Sequence, residues 1–254
     1  MCAFIKSLDA TQRIRHAVVT GSGQPEPVTT HAPSMIVNAD FSRRVAVGAD
    51  EYRWIASPQT GIERVMLDRT GGDQARATSV VRYARGASFP RHAHPGGEEI
   101  LVLSGVFSEG DRHYPAGWYL RNPPGSSHQP SSTGGAVIFV KLRQMASYES
   151  RPTRVDTRAP SSWHRTDRRL VCPLFESDAE TVTLHRLATS EPLFRGTAAH
   201  GAELFVLAGA LATHRRTHVR GAWMRFPAGM TPDLVAGATV YLKTGHLTHA
   251  ETGA

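Results

Sequence analysis

The chain repeats itself at an offset of 104 residues, and this duplication restricts the folds it can adopt. Three segments of the first half align without gaps with segments of the second half. Glycines and prolines recur together with the apolar residues, which makes chance similarity of two β-sequences the weaker explanation. The aligned pairs are TSVVRYARGASFP (78–90) with VTLHRLATSEPLF (182–194), EILVLSGVF (99–107) with ELFVLAGAL (203–211), and GWYLRNPPG (117–125) with GAWMRFPAG (221–229).

Short apolar runs, separated by Gly, Pro, Asp and Ser, follow one another from residue 35 onward. They are rich in Val, Leu, Ile and aromatic residues and are bounded by turn signals, which is typical of β-strands. No amphipathic pattern long enough for a helix stands out. We therefore expect an all-β sandwich or barrel that is present twice.

The 254 residues suffice for one large domain or two small ones. Residues 1–34 show no hydrophobic period and are expected to form a disordered leader, and the Arg-, Pro- and Ser-rich residues 147–169 are expected to be a linker. The sequence has neither a long apolar run nor the apolar core of a signal peptide. Its two cysteines, Cys2 and Cys172, exclude a disulfide scaffold. We therefore expect a cytoplasmic protein that does not enter membranes.

The formal net charge of +7 raises the question of a nucleic-acid partner. The 29 basic residues are spread along the chain, however, and form no compact Lys/Arg cluster. An arginine-rich, solvated surface accounts for the charge, and no nucleic-acid partner is expected.

Four residues of the first repeat form the pattern with the clearest chemistry: His92, His94, Glu98 and His128. A strand presents residues two apart on one face, so His92 and His94 would point the same way. A Pro-Gly-Gly turn then returns the chain and places Glu98 at the start of the next strand. His128 follows a Pro-Pro-Gly turn further on. Three imidazoles and one carboxylate that converge inside a β-barrel would bind a divalent metal and leave a position open for a ligand.

The spacing of these residues resembles the two cupin motifs. The first motif is matched by Gly86, His92, His94, Glu98 and Gly105. The second motif is matched by Gly117, Pro123, Gly125 and His128. Ser132 replaces the usual final Asn of the family and is not an expected ligand. The surrounding sequence is similar to the ChrR-type cupins, which include the C-terminal domain of a zinc-binding anti-sigma factor and are similar to metal-dependent dioxygenases that cleave small ketones.

The resemblance implies two tandem cupin jelly-roll β-barrels. A metal-binding cupin domain would span residues 35–146, and a degenerate cupin domain would span residues 170–254. The implied metal ligands are His92, His94, Glu98 and His128. At the offset of 104 their counterparts are Gly196, Ala198, Ala202 and Pro232. The second barrel is therefore expected to bind no metal in the usual place and to serve as a packing partner for the first.

One divalent ion per chain is expected, with Fe(II) or Zn favoured and Mn or Ni as alternatives. Neutral imidazoles, one carboxylate and a divalent ion leave a positive local charge, which favours an anionic or enolisable small molecule. The resemblance implies a metal-dependent dioxygenase, an oxidoreductase, that acts on a small ketone or diketone. The alternative is a non-enzymatic sensor or regulatory cupin, although the sigma-binding zinc motif of the anti-sigma factor is absent. Pairing into a homodimer stays open.

Four further residues are weaker candidates for the surroundings of the site or its pocket: Glu99, Arg82, Arg121 and Tyr83. The first three recur in the repeat that lacks the ligands, which favours structural roles for them. Glu99 also competes with Glu98 as a ligand, and the cupin spacing favours Glu98. Histidines elsewhere in the second repeat are expected at the solvated surface, namely His214, His218, His246 and His249.

Overall fold

The computed structural model describes residues 36–72, 74–194, 196–213, 216–230 and 232–247. These residues form an all-β structure, as the sequence predicts. They contain no α-helix, and their two short 3-10 helices are Ala49–Glu51 and Pro160–Ser162. No helix among them is long and apolar enough to span a membrane. The leader predicted at residues 1–34 lies outside the described part of the chain.

Strands of two to twelve residues account for the regular structure. The strands that precede residue 130 are β1 Ile36–Val37, β2 Val45–Val47, β3 Ile55–Ala56, β4 Ile62–Thr70, β5 Ala77–Tyr83, β6 Ala87–Ser88, β7 His92–His94, β8 Glu98–Glu109, β9 Arg112–Pro115, β10 Trp118–Asn122 and β11 Ser126–His128. The strands that follow are β12 Pro130–Ser132, β13 Ala136–Leu142, β14 Thr153–Asp156, β15 His164–Thr166, β16 Arg169–Glu176, β17 Thr181–Arg186, β18 Glu191–Pro192, β19 Ala202–Ala212, β20 Thr217–Val219, β21 Trp223–Phe226 and β22 Val235–Thr244.

Two large antiparallel sheets have the same strand order. The main path of the eleven-stranded sheet is β1-β4-β5-β13-β8-β10-β14, and that of the nine-stranded sheet is β15-β16-β17-β22-β19-β21-β2. We call the eleven-stranded sheet, together with the separate pair β7–β11, the first unit, and the nine-stranded sheet the second unit. The repeat seen in the sequence is therefore also a repeat of topology.

The two units exchange an edge strand. β14, which precedes the second repeat, pairs with β10 of the first unit, whereas β2, which precedes the first repeat, pairs with β21 of the second unit. β14 and β15 both lie in the segment 147–169 that the sequence predicts as a linker. Part of that segment is thus integral to the sheets.

A β-bulge recurs at the same place in both units. The register between β8 and β13 shifts by one residue at Leu103, and the register between β19 and β22 shifts at the equivalent Leu207. Gly105 and Gly209 follow the bulges with φ values of +71° and +70°, which non-glycine residues rarely adopt. A Cβ atom at either glycine would collide with a carbonyl oxygen of the partner strand. This requirement explains why both copies keep glycine there.

Side chains alternate between the two faces of β8, so the neighbouring carboxylates Glu98 and Glu99 lie on opposite faces. Ile100 and Val102 belong to the core of the first unit, and Glu98 shares their face. Leu101 belongs instead to a core between the two units, and Glu99 shares that face. This second core holds aromatic side chains from both units, among them Tyr119, Phe139, Phe205, Trp223 and Tyr241.

Reciprocal ion pairs cross the same buried interface. Lys141 Nζ lies 2.5 Å from Glu203 Oε1, and Lys243 Nζ lies 2.8 Å from Glu99 Oε2. All four side chains are at most 3% exposed. Arg121 extends the network in the first unit, because it bonds Glu99 and also Glu180 of the second unit. Glu99 and Glu203 are related by the repeat offset, and Lys141 and Lys243 lie opposite them at equivalent positions of β13 and β22, so the interface has approximate twofold character.

Candidate metal centre

A two-stranded ribbon positions the three histidines. β7 and β11 pair in antiparallel fashion, with His92 opposite His128 and His94 opposite Ser126. The spacing of two residues places the rings of His92 and His94 on one face, 4.7 Å apart between centroids. The ring of His128 lies 5.1 Å from that of His92 and 4.7 Å from that of His94. The three imidazoles therefore face one point.

Glu98 completes the cluster from the start of β8. Its Oε2 atom lies 3.5 Å from His94 Nε2 and 3.4 Å from His128 Nε2, and these two nitrogens are 2.9 Å apart. For ligands about 2.1 Å from a metal, adjacent donor atoms are separated by about 3.0–3.4 Å in octahedral or tetrahedral geometry. Ligand atoms of His92, His94 and His128 also lie within 4.8 Å of one another. The spacings among Glu98, His94 and His128 thus fit a single divalent cation, and His92 lies beside the two other histidines.

Hydrogen bonds fix which nitrogen two of the three rings present. The Nδ1 atom of His92 is 2.9 Å from the carbonyl oxygen of Pro90, and the Nδ1 atom of His128 is 2.7 Å from Glu109 Oε1. When each Nδ1 carries the proton, each Nε2 keeps its lone pair for a metal. A carboxylate behind a ligating histidine also makes the ring a stronger donor. Glu109 therefore supports His128 without belonging to the inner cluster.

Glu109 is itself held by two further side chains. Asn122 Nδ2 donates to Glu109 Oε1 over 2.8 Å, and Arg154 Nη2 donates to Glu109 Oε2 over 3.0 Å. Asn122 Nδ2 also lies 3.3 Å from Glu98 Oε2, so that it touches both carboxylates. Burial would raise the pKa of Glu109, but hydrogen bonds from His128 and Asn122 and the charge of Arg154 lower it to about 2. Glu109 is consequently an anion at any physiological pH.

The protonation of the buried rings follows from their surroundings. Burial lowers the pKa of His94 below its ordinary value, although the charge of Glu98 opposes this effect. Burial would also lower the pKa of His128, but its hydrogen bond to Glu109 and the charge of Glu98 raise it instead. His94 is therefore available as a neutral donor, and His128 is the ring whose proton a metal would have to displace.

A cavity of about 360 Å³ opens beside the cluster. His92, His94 and Glu98 form one part of its wall. Most of the rest is apolar, and includes Ile62, Val81, Tyr83, Phe89, Ile138, Val140 and Leu142. Three arginines also line it, namely Arg64, Arg69 and Arg143. A cavity of this size that is mostly apolar with a few polar groups is typical of small-molecule sites.

Three of the four weaker candidates lie away from this cavity. Glu99 and Arg121 belong to the buried interface between the units, where Tyr241 also donates to Glu99. Arg82 bonds Glu63 near the surface and stacks over Trp54 at 4.3 Å. Only Tyr83 lines the cavity. Glu99 and Arg121 recur in both repeats because both units contribute to the interface.

The second unit has apolar side chains where the first has its cluster. Ala198 and Ala202, at the positions of His94 and Glu98, are buried in the core of the second unit. The ribbon is reduced there to a single bridge between Ala198 and Met230. Among the described residues, the candidate metal groups all lie in the first unit.

Two histidines of the second repeat lie in the interior, contrary to the surface position expected for them. His218 is buried on β20, and His246 is buried with its Nε2 atom 3.0 Å from Glu203 Oε2. The partner of His246 is Glu203, which belongs to the buried ion-pair network between the units. The local sequence around His246 does not reveal this partner. His214 and His249 lie outside the described residues.

Sequence reasoning missed Glu109, Asn122 and Arg154. A signal for the first two was present, because Thr213 and Phe226 replace them at the repeat offset, just as the ligands are replaced. Arg154 gives no such signal, since it reaches the site only through the pairing of β14 with β10.

The family model of the ChrR cupin-like domain matches residues 42–146. This segment is similar to the ChrR cupin-like domain. It contains all four residues of the inner cluster together with Glu109 and Asn122. Arg154 lies just beyond it, in the segment that joins the two repeats. No curated protein sequence matches the chain significantly.

Several solved structures are similar in fold to most of this chain. Bacterial pirin YhhW from Escherichia coli, in complex with nickel(II), is 12% identical with a TM-score of 0.60, covering 80% of this chain and 98% of its own. A candidate dioxygenase from Nostoc punctiforme is 14% identical with a TM-score of 0.61, and the match covers 84% of this chain and 82% of that protein. A cupin 2 conserved barrel protein from Leptotrichia buccalis is 11% identical with a TM-score of 0.55, and the match covers 83% of this chain and 100% of that protein. At these identities the similarity establishes the fold alone.

Proposed function

We propose that this chain is a metal-dependent oxidoreductase of the dioxygenase type that acts on a small ketone or diketone. His92, His94, Glu98 and His128 would hold one divalent ion, with Fe(II) or Zn favoured. The observation that carries the proposal is the convergence of three imidazoles and one carboxylate beside a largely apolar cavity, whose wall includes His92, His94 and Glu98. A bound cation there would polarise an oxygen of the ligand as a Lewis acid.

The residues around the cluster have separate roles in this proposal. Glu109 and the carbonyl of Pro90 hold His128 and His92 in the ligating tautomer. The apolar wall excludes water and strengthens electrostatic interactions inside the cavity. Because the ligating rings would be neutral and Glu98 would contribute the single negative charge of the donor set, the loaded site would favour an anion such as an enolate.

The structural neighbours support the proposal at the level of fold. The Nostoc protein is a candidate dioxygenase, and the YhhW structure is a complex with nickel(II). Neither similarity assigns a substrate to this chain. The buried free thiol of Cys172 agrees with the cytoplasmic location that we propose.

Elemental analysis of the freshly purified full chain tests the metal site. We expect about one metal per chain in the wild type and little in His94→Ala. His200→Ala, a histidine substitution in the second unit, serves as the matched control and should keep the metal. Equal metal in His94→Ala and the wild type would contradict the assignment of the site.

Oxygen uptake by the iron-loaded protein tests the chemistry. Uptake that depends on a small diketone and disappears in His94→Ala would support the enzymatic proposal. Metal binding without uptake across a broad panel of ketones and diketones would contradict it. That outcome would favour the alternative in which the domain is a regulatory or sensory cupin.

A further inference from the structure

The two copies of the repeat distinguish side chains that build the fold from side chains that build the site. Residues kept in both copies, such as Glu99 and Arg121, lie at the interface between the units. The cluster residues are replaced in the second copy, and so are three aromatic residues near them. These are Tyr83, Phe89 and Phe107, whose counterparts are Leu187, Leu193 and Leu211. All three leucines are buried in the core of the second unit.

The three aromatic rings form a collar beside the histidines of the first unit. The Tyr83 ring packs edge-on against Phe89 at 6.0 Å and against Phe107 at 5.9 Å between centroids. Phe89 in turn lies 5.7 Å from His92, and Phe107 lies 6.2 Å from His128. Tyr83 is therefore held between two rings that each contact a cluster histidine.

The Tyr83 hydroxyl is the polar group of this collar. Tyr83 is only 5% exposed, and it lines the cavity next to His92, His94 and Glu98. No hydrogen bond joins its hydroxyl to another described residue, and the hydroxyl is not one of the fully buried polar atoms that lack a partner, so it is accessible to a molecule in the cavity. The second copy keeps an apolar side chain of similar burial at this position, in Leu187. The fold alone therefore does not require a hydroxyl here.

We propose that Tyr83 binds the ligand directly, by donating a hydrogen bond from its hydroxyl to an oxygen of a small molecule seated at the metal cluster. This inference rests on the proposed function. Burial raises the pKa of Tyr83, so that the hydroxyl stays protonated and can donate at neutral pH. The hydroxyl adds a neutral hydrogen-bond donor to a wall that also includes apolar residues such as Ile62 and Ile138.

The ligand class follows from this arrangement. A molecule that satisfies both the cation and Tyr83 carries two oxygen acceptors, and an apolar body suits the aliphatic wall between them. Small β-diketones and their enolates have this composition. A very small anion with no second acceptor would reach the cation and make no use of Tyr83.

The test compares Tyr83→Phe with the wild type, both as zinc-loaded full chains, by calorimetric titration with acetylacetone and separately with fluoride. Tyr83→Phe removes only the hydroxyl, and Tyr148→Phe is the matched control because Tyr148 is 71% exposed. We expect Tyr83→Phe to retain about one metal per chain and to bind acetylacetone about tenfold more weakly, as one lost hydrogen bond predicts. Fluoride affinity should stay within about twofold of the wild type, and Tyr148→Phe should match the wild type throughout.

The outcomes separate the two proposals. A wild-type chain that holds no metal would overturn the proposed function and this inference together. Full metal with equal acetylacetone affinity in the wild type and Tyr83→Phe would overturn the role of Tyr83 alone. A wild type that holds metal but does not bind acetylacetone would overturn that role as well. Equal weakening of acetylacetone and fluoride binding in Tyr83→Phe would also overturn it, since that result indicates a general distortion of the site.

Discussion

Replacing Glu109 by glutamine should weaken metal binding although Glu109 is not one of the four cluster residues. The Glu109 carboxylate accepts hydrogen bonds from three directions, at 2.7 Å from His128, 2.8 Å from Asn122 and 3.0 Å from Arg154. Glutamine has the same shape but only one acceptor oxygen. If that oxygen faces His128, the amide NH₂ faces the guanidinium of Arg154, and if the amide is flipped, it faces the proton on His128.

The magnitude follows from these contacts. A carboxylate behind a ligating histidine contributes about 10- to 100-fold in metal affinity, or about 1.4–2.7 kcal/mol. The metal-free protein should lose stability as well, by about 2 kcal/mol, because at least one charge-assisted hydrogen bond in a buried network is broken. The variant is therefore expected to bind metal more weakly without losing it entirely.

Competition with a chromophoric zinc chelator measures the affinity, and urea unfolding of the metal-free form measures the stability. Glu63→Gln is the matched control, because the Glu63 side chain is 42% exposed and pairs with Arg82 away from the cavity. Its zinc affinity should equal that of the wild type. If Glu109→Gln also binds zinc as tightly as the wild type, the idea that Glu109 orients His128 is refuted.

Three further predictions concern stability. Lys141→Met should lower the free energy of unfolding in urea by about 3–5 kcal/mol, because it leaves the buried Glu203 carboxylate without the Lys141 cation. An unchanged unfolding midpoint would argue against the ion pair. Gly105→Ala should destabilise the fold by at least about 2 kcal/mol, because the new methyl group would collide with the Gly135 carbonyl oxygen and because residue 105 has a positive φ. Thermal unfolding measures this loss, and a melting temperature equal to that of the wild type would be inconsistent with the bulge geometry. Burial lowers the pKa of His185 in the folded chain to about 4, so as the pH falls the unfolded chain takes up a proton first. The free energy of unfolding should therefore decline from about pH 6.5 to pH 4. In chemical unfolding across that range His185→Gln should show a shallower decline, and a decline as steep as that of the wild type would contradict this reasoning.

The sequence predicts the fold and the inner cluster because both depend on local patterns. Alternating apolar runs and turn residues indicate strands, and a separation of two residues places His92 and His94 on one face. The same alternation explains why Glu98 faces the cavity and Glu99 faces the interface, as their positions on β8 show. A single residue of offset decides between two unrelated roles.

The supporting groups could not be obtained in this way, because they depend on pairing between distant strands. Arg154 reaches Glu109 and Asn122 only because β14 pairs with β10. β14 has four residues, and β2 has three, which is too short for a hydrophobic period to be detected. His246 could not be placed either, since its buried partner Glu203 lies 43 residues earlier in the chain.

The exchanged edge strands have a practical consequence for the expression of either half of the chain alone. A fragment that ends at residue 146 would lose β14, so β10 would present its unpaired backbone amides and carbonyls to solvent. The same fragment would carry β2 without the strand on which it normally lies. Such truncated material should self-associate or precipitate, and its failure to hold metal would then reflect the missing Arg154 as much as any fault in the ligands. Assays of this protein therefore need both halves in one polypeptide.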